Sequence, residues 1–230
     1  MLKKTLLAAA VLALSATAVQ ADEVSGYLTG SVGQAKASKP KAAKILQGDW
    51  NEPGEYTSTD RKDTAYKIAV GLKVNPYVAL EVQYIDLGES SYKGGDSFSI
   101  PSVFSYSETE KIKSKTSGIG ANVVGTYPIE DFTLFAKAGY HYMKTKASYK
   151  YNFSATGFDS ESESQSTSIR KWTPSFGVGA SYDITKELAV VAEYERYQGV
   201  ANKKVYEADG AKYSMKHDID FASVGLRYNF

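Results

Sequence analysis

At 230 residues the chain is long enough for one domain of ordinary size. Its 27 basic and 26 acidic residues leave a formal charge of +1, which excludes a charge-driven nucleic-acid binder. With no cysteine, it has neither a disulfide framework nor thiolate chemistry. Residues 1–21 read as a cleavable signal peptide and are set aside from fold reasoning. Lys3 and Lys4 make a positive start, Leu6 to Leu14 an apolar run, and Val19-Gln20-Ala21 a small-residue cleavage site. The apolar run is shorter than the ~20 residues a helix needs to cross hydrocarbon, so a membrane anchor is the weaker reading. Asp22 then begins the mature chain, whose 25 bases and 26 acids leave it near −1.

After the signal the pattern is one of strands, with side chains alternating between two faces. Val24 to Gln34 is the first: Val24, Leu28 and Val32 share a face with Gly26 and Gly30, and Tyr27 lies opposite. A long polar connection, Ala35 to Asp63, carries Lys36, Lys39, Lys41 and Lys44, Trp50 and the turn signal Asn51-Glu52-Pro53-Gly54. Thr64 to Val74 is the second strand, with Tyr66, Ile68, Val70, Leu72 and Val74 on one face and Lys67, Ala69, Gly71 and Lys73 on the other. Asn75-Pro76-Tyr77 turns the chain into the third strand, Val78 to Leu87. There Val78, Leu80, Val82 and Tyr84 point one way and Ala79, Glu81 and Gln83 the other. Gly88 to Lys115 is a second long connection.

Thr116 to Tyr127 and Phe132 to Lys144 are strands four and five, joined by the short turn Pro128–Asp131. Lys137 and His141 lie on the less apolar face of the fifth. Thr145 to Arg170 is a third long connection. In it Ser160, Ser162, Ser164, Ser166 and Ser168 alternate with Glu161, Glu163, Gln165 and Thr167, which leaves no apolar face to put into hydrocarbon. A solvated strand extension and disorder are both open there. Lys171 to Tyr182 and Leu188 to Gln198 are strands six and seven around the short turn Asp183–Glu187, with Glu193 and Glu195 facing inward on the seventh. Gly199 to Lys216 is the fourth long connection. Asp218 to Phe230 is the eighth strand, with Ala222, Val224, Leu226, Tyr228 and Phe230 on one face and Ser223, Gly225, Arg227 and Asn229 on the other. No strand follows it, so its edge is expected to pair with the first strand. No helix-period segment is visible after the signal.

The pattern predicts an all-β fold: an eight-stranded, antiparallel, up-and-down transmembrane β-barrel over residues 22–230. Connections alternate long and short, as short periplasmic turns and long extracellular loops do in outer-membrane barrels. An apolar face opposite one with Lys67, Lys73, Glu81, Lys137, Glu193 and Arg227 fits lipid outside and a polar interior, the reverse of a soluble lipocalin-like barrel. The 18 tyrosines suit side chains that sit at a headgroup boundary.

Asn75 to Gly88, N-P-Y-V-A-L-E-V-Q-Y-I-D-L-G, together with the last strand, resembles the small eight-stranded outer-membrane barrels of the OmpA transmembrane-domain type. The resemblance covers residues 22–230. It implies a bacterial outer-membrane location, an interior charged cluster read in that family as a switchable plug, and a terminal assembly signal, here Tyr228 and Phe230, offered to the barrel-assembly machinery. The peptidoglycan-binding domain of the full type is missing from the resemblance, so cell-wall tethering is not carried over.

Four charges, Glu81, Lys137, Glu193 and Arg227, fall on inward faces a few residues from the short-turn end, and are expected to pair at one depth. The cluster is either a structural ion network or a gate. Phe98, Ile100, Pro101, Val103, Phe104 and Tyr106 make an apolar group in the second long connection, either a contact patch or a packed hairpin extension. The first-connection lysines can meet lipopolysaccharide phosphates or simply be solvated. No nucleophile and base stand at catalytic spacing around His141 or His217, so no enzyme, cofactor or metal is expected. The function expected is a monomeric outer-membrane barrel with a structural or surface-interaction role, in contact with outer-membrane lipids, lipopolysaccharide and an unidentified surface ligand. The alternatives are a narrow small-ion channel and, behind it, a lipid-modifying barrel.

Overall fold

A computed structural model describes residues 25–230 apart from 53 and 209; the expected signal peptide lies outside these residues. Among them are eleven strands and one helix: β1 (Gly26–Ala37), α1 (Lys41–Gly48), β2 (Glu55–Asp60), β3 (Lys62–Asn75), β4 (Val78–Ile100), β5 (Phe104–Ile129), β6 (Phe132–Ala155), β7 (Glu161–Asp183), β8 (Leu188–Val200), β9 (Lys204–Ala208), β10 (Ala211–Ser214) and β11 (His217–Asn229). Eight of them, β1, β3–β8 and β11, close into an antiparallel ring in the order β4-β3-β1-β11-β8-β7-β6-β5, with β4 pairing β5 to complete it. Closure is made by the last strand against the first, from Tyr27 opposite Asn229 to Ala37 opposite Ile219. Gly26 and Phe230 exchange backbone hydrogen bonds of 2.9 and 3.0 Å at the end of that seam. A closed ring leaves no ladder edge in the wall, which a hydrocarbon surround demands.

The alternation read from the sequence sets the facing. Leu80, Leu134, Val190 and Leu226 are 52, 49, 39 and 55% exposed on the outer wall. Val70 faces the same way between its register partners Leu28 and Val82, though only 9% of it is exposed. Apolar side chains exposed over an entire wall cannot face water at acceptable cost.

All four long connections contain regular structure, and in two of them it takes the strand-extension form that the sequence left open. Gly88–Lys115 and Thr145–Arg170 are hairpin extensions, in which β4 runs to Ile100, β5 starts at Phe104, β6 runs to Ala155 and β7 starts at Glu161. Beyond the wall the outward face meets water and the inward face is apolar only under α1 and at the tip, so the continuous apolar alternation breaks while the ladder of backbone bonds goes on. With β2, which pairs Glu55–Asp60 against Asp96–Ser91, these extensions form a five-stranded sheet standing above the barrel. The passage out of the wall along β4 is a β-bulge at Asp86-Leu87-Gly88, where register shifts before Glu89. Gly88 takes φ +71°, where a Cβ would strike Asp63. Asp86 accepts the Gly88 N–H at 3.0 Å and Asp63 the Glu89 N–H at 2.7 Å. The residues read as a strand end are therefore a bend in a continuing strand.

The sequence also missed α1. Its eight residues bury Ala42, Ala43, Leu46 and Gln47, a stripe only two turns long and too short to show a period. Pro40, extended at φ −69° and ψ 159°, stops β1 and starts the helix. The helix lies across the long-connection mouth of the barrel, where Ala42 and Leu46 pack with Ile112, Ala147, Ile169, Ala201 and Met215. Gln47 fastens it, donating to Ser58 O at 2.9 Å, Thr59 Oγ1 at 3.0 Å and Lys93 O at 3.2 Å. Within Gly199–Lys216 the short hairpin β9–β10 stands beside it.

Candidate functional site

The lumen is filled in layers. Nearest the short turns lie Tyr27, Ala79, Val124, Phe135 and Val191. Toward the mouth lies a second apolar layer that includes Ala65, Ile85, Met143, Tyr197, Ile219 and Phe221. The interior is thus not simply polar: the charges sit between two dry layers, where pairing is obligatory.

The strands bring three of the four expected charges together and add two others. Lys137 Nζ lies 2.5 Å from Glu193 Oε1, 3.2 Å from Glu81 Oε1 and 3.2 Å from Glu195 Oε2. Lys67 Nζ lies 2.6 Å from Glu193 Oε2 and 3.5 Å from Glu195 Oε2. Uncharged groups complete the net. Tyr27 donates to Glu81 at 3.0 Å, Asn122 to Glu81 at 3.0 Å, and Gln83 to Glu195 at 2.9 Å. All five charged side chains are at most 5% exposed. Lys67 and Glu195 were visible as inward residues, but they lie farther from the short-turn end than the four expected ones. Strand stagger, which a linear reading does not contain, brings them to the same level.

Arg227 does not join the acids, a correction to the expected cluster. Its guanidinium lies over the Tyr27 ring at 4.3 Å and near Phe135 at 5.5 Å, and donates to Thr29 Oγ1 at 3.3 Å. Three residues from the chain end, it falls in the aromatic layer below the carboxylates, where a flat cation stacks.

His141 is fully buried, with Nδ1 3.1 Å from Ser175 Oγ and its ring edge-on to Tyr197 at 5.2 Å. Ser175 is a neighbour that spacing did not reveal. The pair has the partners of a nucleophile and base, and both side chains are fully buried between the layers.

The expected apolar group lies at the tip of the β4–β5 hairpin. Phe98 stands opposite Tyr106 and Ile100 opposite Phe104, all four on the sheet face turned toward the mouth, with Val103 in the turn. Phe98, Ile100 and Val103 are 56, 45 and 69% exposed, whereas Tyr106 packs edge-on against Phe153 at 5.8 Å. Below the tip, tyrosines hold glutamates: Tyr106 and Tyr151 donate to Glu108 at 2.5 and 2.9 Å, and Tyr149 to Glu110 at 2.7 Å. The Glu108 hydrogen bond, with burial second, pushes the Tyr106 hydroxyl up to about 12; burial, then Glu108, does the same for Tyr151. Both remain donors throughout the physiological range. Tyr228 and Phe230 point outward from the seam, rings 6.4 Å apart.

The outer membrane protein beta-barrel domain model matches residues 5–230. The chain belongs to that family. The barrel therefore resides in the bacterial outer membrane, with lipid around the apolar wall. Outer membrane protein A of Klebsiella pneumoniae is 24% identical over 161 residues, which is 70% of this chain and 39% of that protein; the chain thus spans well under half the relative's length. Among solved structures, Neisserial surface protein A is 15% identical, with 89% of this chain and 97% of that chain covered, at a TM-score of 0.45. The outer membrane protease OmpT of Escherichia coli is 12% identical, covering 92% and 98%, at 0.44.

Proposed function

We propose that this protein is a non-conducting, non-enzymatic outer-membrane scaffold that presents its projecting sheet to the cell's surroundings. The observation that carries this reading is that four wall strands, β4 to β7, run without interruption from the membrane into the sheet, ending in the exposed apolar tip at Phe98, Ile100 and Val103. An apolar tip on an otherwise polar projection is a contact surface. The lumen beneath it is closed three times over, by the aromatic layer, by the Lys137–Glu193–Lys67 net and by α1, which supports a structural role for the charges over a gate. The sealing of His141 and Ser175 supports the absence of catalysis. The outward rings of Tyr228 and Phe230 beside the closing seam support a role as the signal that the assembly machinery grips before closure.

Planar-bilayer recording tests the reading. Refolded wild-type protein is expected to show no steady conductance. A steady conductance that changes when Lys137 is replaced would make the barrel a narrow small-ion channel instead.

A further inference from the structure

Register lays out the mouth-side face of the projecting sheet in rows. Glu55, Asp96 and Glu108 stand directly opposite one another across β2, β4 and β5, and the same row runs on through Phe153 to Glu161. The row beneath it is Gly94, Glu110, Tyr151 and Glu163. Lower still, the same face packs under α1 through Ile112, Ala147 and Ile169. Like charges paired directly across strands repel, and no base on this face relieves them. Among the described residues none of these carboxylates has a base within 4.0 Å. The bases stand on the outward face, where Lys93, Lys111 and Lys150 line up across β4, β5 and β6 and Lys115 stands opposite Lys146. Side chains on one face of a sheet do not reach round to the other.

The surroundings of the carboxylates say what this face meets. Directly above them is the apolar tip: Phe98 and Ile100 follow Asp96 on the same face of β4, and Phe158 is 71% exposed at the tip of the next hairpin. Between the carboxylates lie rings, since Phe153 separates Glu108 from Glu161 and Tyr151 separates Glu110 from Glu163. A cation held between two such acids also lies against a ring, which favours it again. Glu108 is fixed in place by Tyr106 and Tyr151, one hydroxyl on each oxygen, so little order is lost when a ligand arrives. At the lower end a cleft of about 600 Å³ opens between Tyr149, Glu163 and Gln165 on the sheet and Tyr206 and Met215 beside it. Lys203 and Lys204 also line that cleft, so the acidic strip ends there. From the Glu110–Glu163 row to Ile100 the face is about 20 Å long. Its occupant therefore carries ammonium or guanidinium groups beside apolar side chains over that length. A small polycation leaves the tip bare, and an acyl chain leaves the acids unpaired.

We propose that the mouth-side face of the projecting sheet binds a cationic amphipathic polypeptide segment, its bases on the two carboxylate rows and its apolar side chains on Phe98 and Ile100. This rests on the surface-scaffold reading, whose failure shows as the steady conductance described above and not in any binding arm. The experiment uses full-length protein refolded into phosphatidylcholine nanodiscs and scored as folded by heat-modifiable gel mobility. The probe is a synthetic peptide of lysine and leucine at helical spacing, about 14 residues and so about 20 Å long as a helix. Wild type is expected to bind it more tightly than protein-free discs do, with affinity falling as salt rises. Glutamate in place of the peptide's lysines is expected to abolish binding, and serine in place of its leucines to weaken it roughly tenfold or more. The combined variant Asp96→Asn, Glu108→Gln, Glu161→Gln, Glu163→Gln is expected to bind the lysine-leucine peptide roughly tenfold or more weakly, with no fall in Tm, because the amides keep the shape and remove the repulsion. Glu161→Lys with Glu163→Lys, both at exposed positions, guards against misfolding of that variant and is expected to weaken binding at least as much. Phe98→Ser with Ile100→Ser is expected to weaken it too, whereas Lys111→Gln with Lys150→Gln, on the outward face, is expected not to. Full affinity in the carboxylate variants with the tip variant impaired would overturn the site and leave the tip as a contact surface. Equal loss in the outward-face variant, equal affinity for spermine or for the serine peptide, or no binding to wild type would overturn it as well. A wild-type dimer formed without peptide and lost in the combined variant would make a second copy's basic face the occupant, and the polypeptide assignment would fall.

Discussion

At the scale of single residues, Lys137 is the hinge of the lumen. Three carboxylates surround it, and its three protons are its whole supply of donors. Lys137→Ala leaves Glu81, Glu193 and Glu195 with Lys67 as the one remaining ammonium in the net. The expected loss, measured by urea unfolding in vesicles, is about 3–5 kcal/mol, most of it from charge left unpaired in a dry layer. Glu81→Ala removes one member of a 3.2 Å pair. The double variant Glu81→Ala, Lys137→Ala is expected to be more stable than its single changes sum to, by about 1–3 kcal/mol. Strict additivity would show that this pair does not couple. On the outer wall, Leu80→Arg near the midplane is expected to cost about 2–4 kcal/mol in the same assay, because an outward arginine there meets hydrocarbon. An unchanged stability would place Leu80 away from lipid.

At the scale of elements, α1 is the part most dependent on its surroundings. Eight residues do not hold a helix in water, so its order derives from Leu46 in the mouth layer and from the three bonds of Gln47. Leu46→Ala is expected to weaken the helix by about 2–4 kcal/mol. Hydrogen exchange should then quicken at the amides of Lys44 to Gly48 while the wall strands stay protected. Wall amides that quicken equally would mean that α1 and the barrel open as one unit. The hairpin extensions behave differently, since their ladders are continuous with the wall. Proteases added to intact cells are expected to cut at the tips, near Val103 and Phe158, and to spare the paired stretches Lys111–Lys115 and Lys144–Lys150. Cutting throughout those stretches would contradict the continuous ladders of β4 to β7.

At the scale of the whole molecule, orientation is the property to test, and the absence of cysteine makes the test clean. Val103→Cys, in the tip, is expected to react with an impermeant maleimide on intact cells. Thr185→Cys, in the short turn between β7 and β8, is expected to react only after the outer membrane is opened. The reverse pattern would invert the barrel. The vertical order of the molecule follows from the same axis: aromatic layer, ion net, apolar layer, helix, then a sheet with one basic and one acidic face.

The sequence by itself determined the wall. A period of two repeated eight times specifies which side chains meet lipid, and a one-residue slip would turn every one of them inward, so Leu80, Leu134, Val190 and Leu226 were placed without any tertiary knowledge. It also determined which charges point into the lumen, Lys67 and Glu195 included. Only the tertiary structure decided which of them touch, because the stagger of a closed barrel shifts each strand along its neighbour and sends Arg227 to the aromatic layer while lifting Glu193 to Lys67. It alone decided for the strand extensions that the sequence left open, since a ladder with one solvated face and only patches of apolar contact on the other carries no continuous hydrophobic period, and it alone showed that Lys41–Gly48 is a helix, since two turns are stabilised by the mouth they cover and not by their own pattern. The opposing charges of the projecting sheet belong to the same class. Lysines and glutamates scattered between Lys93 and Glu163 become two faces only when backbone register sets Lys115 beside Lys146 and turns Glu110 and Glu163 the other way.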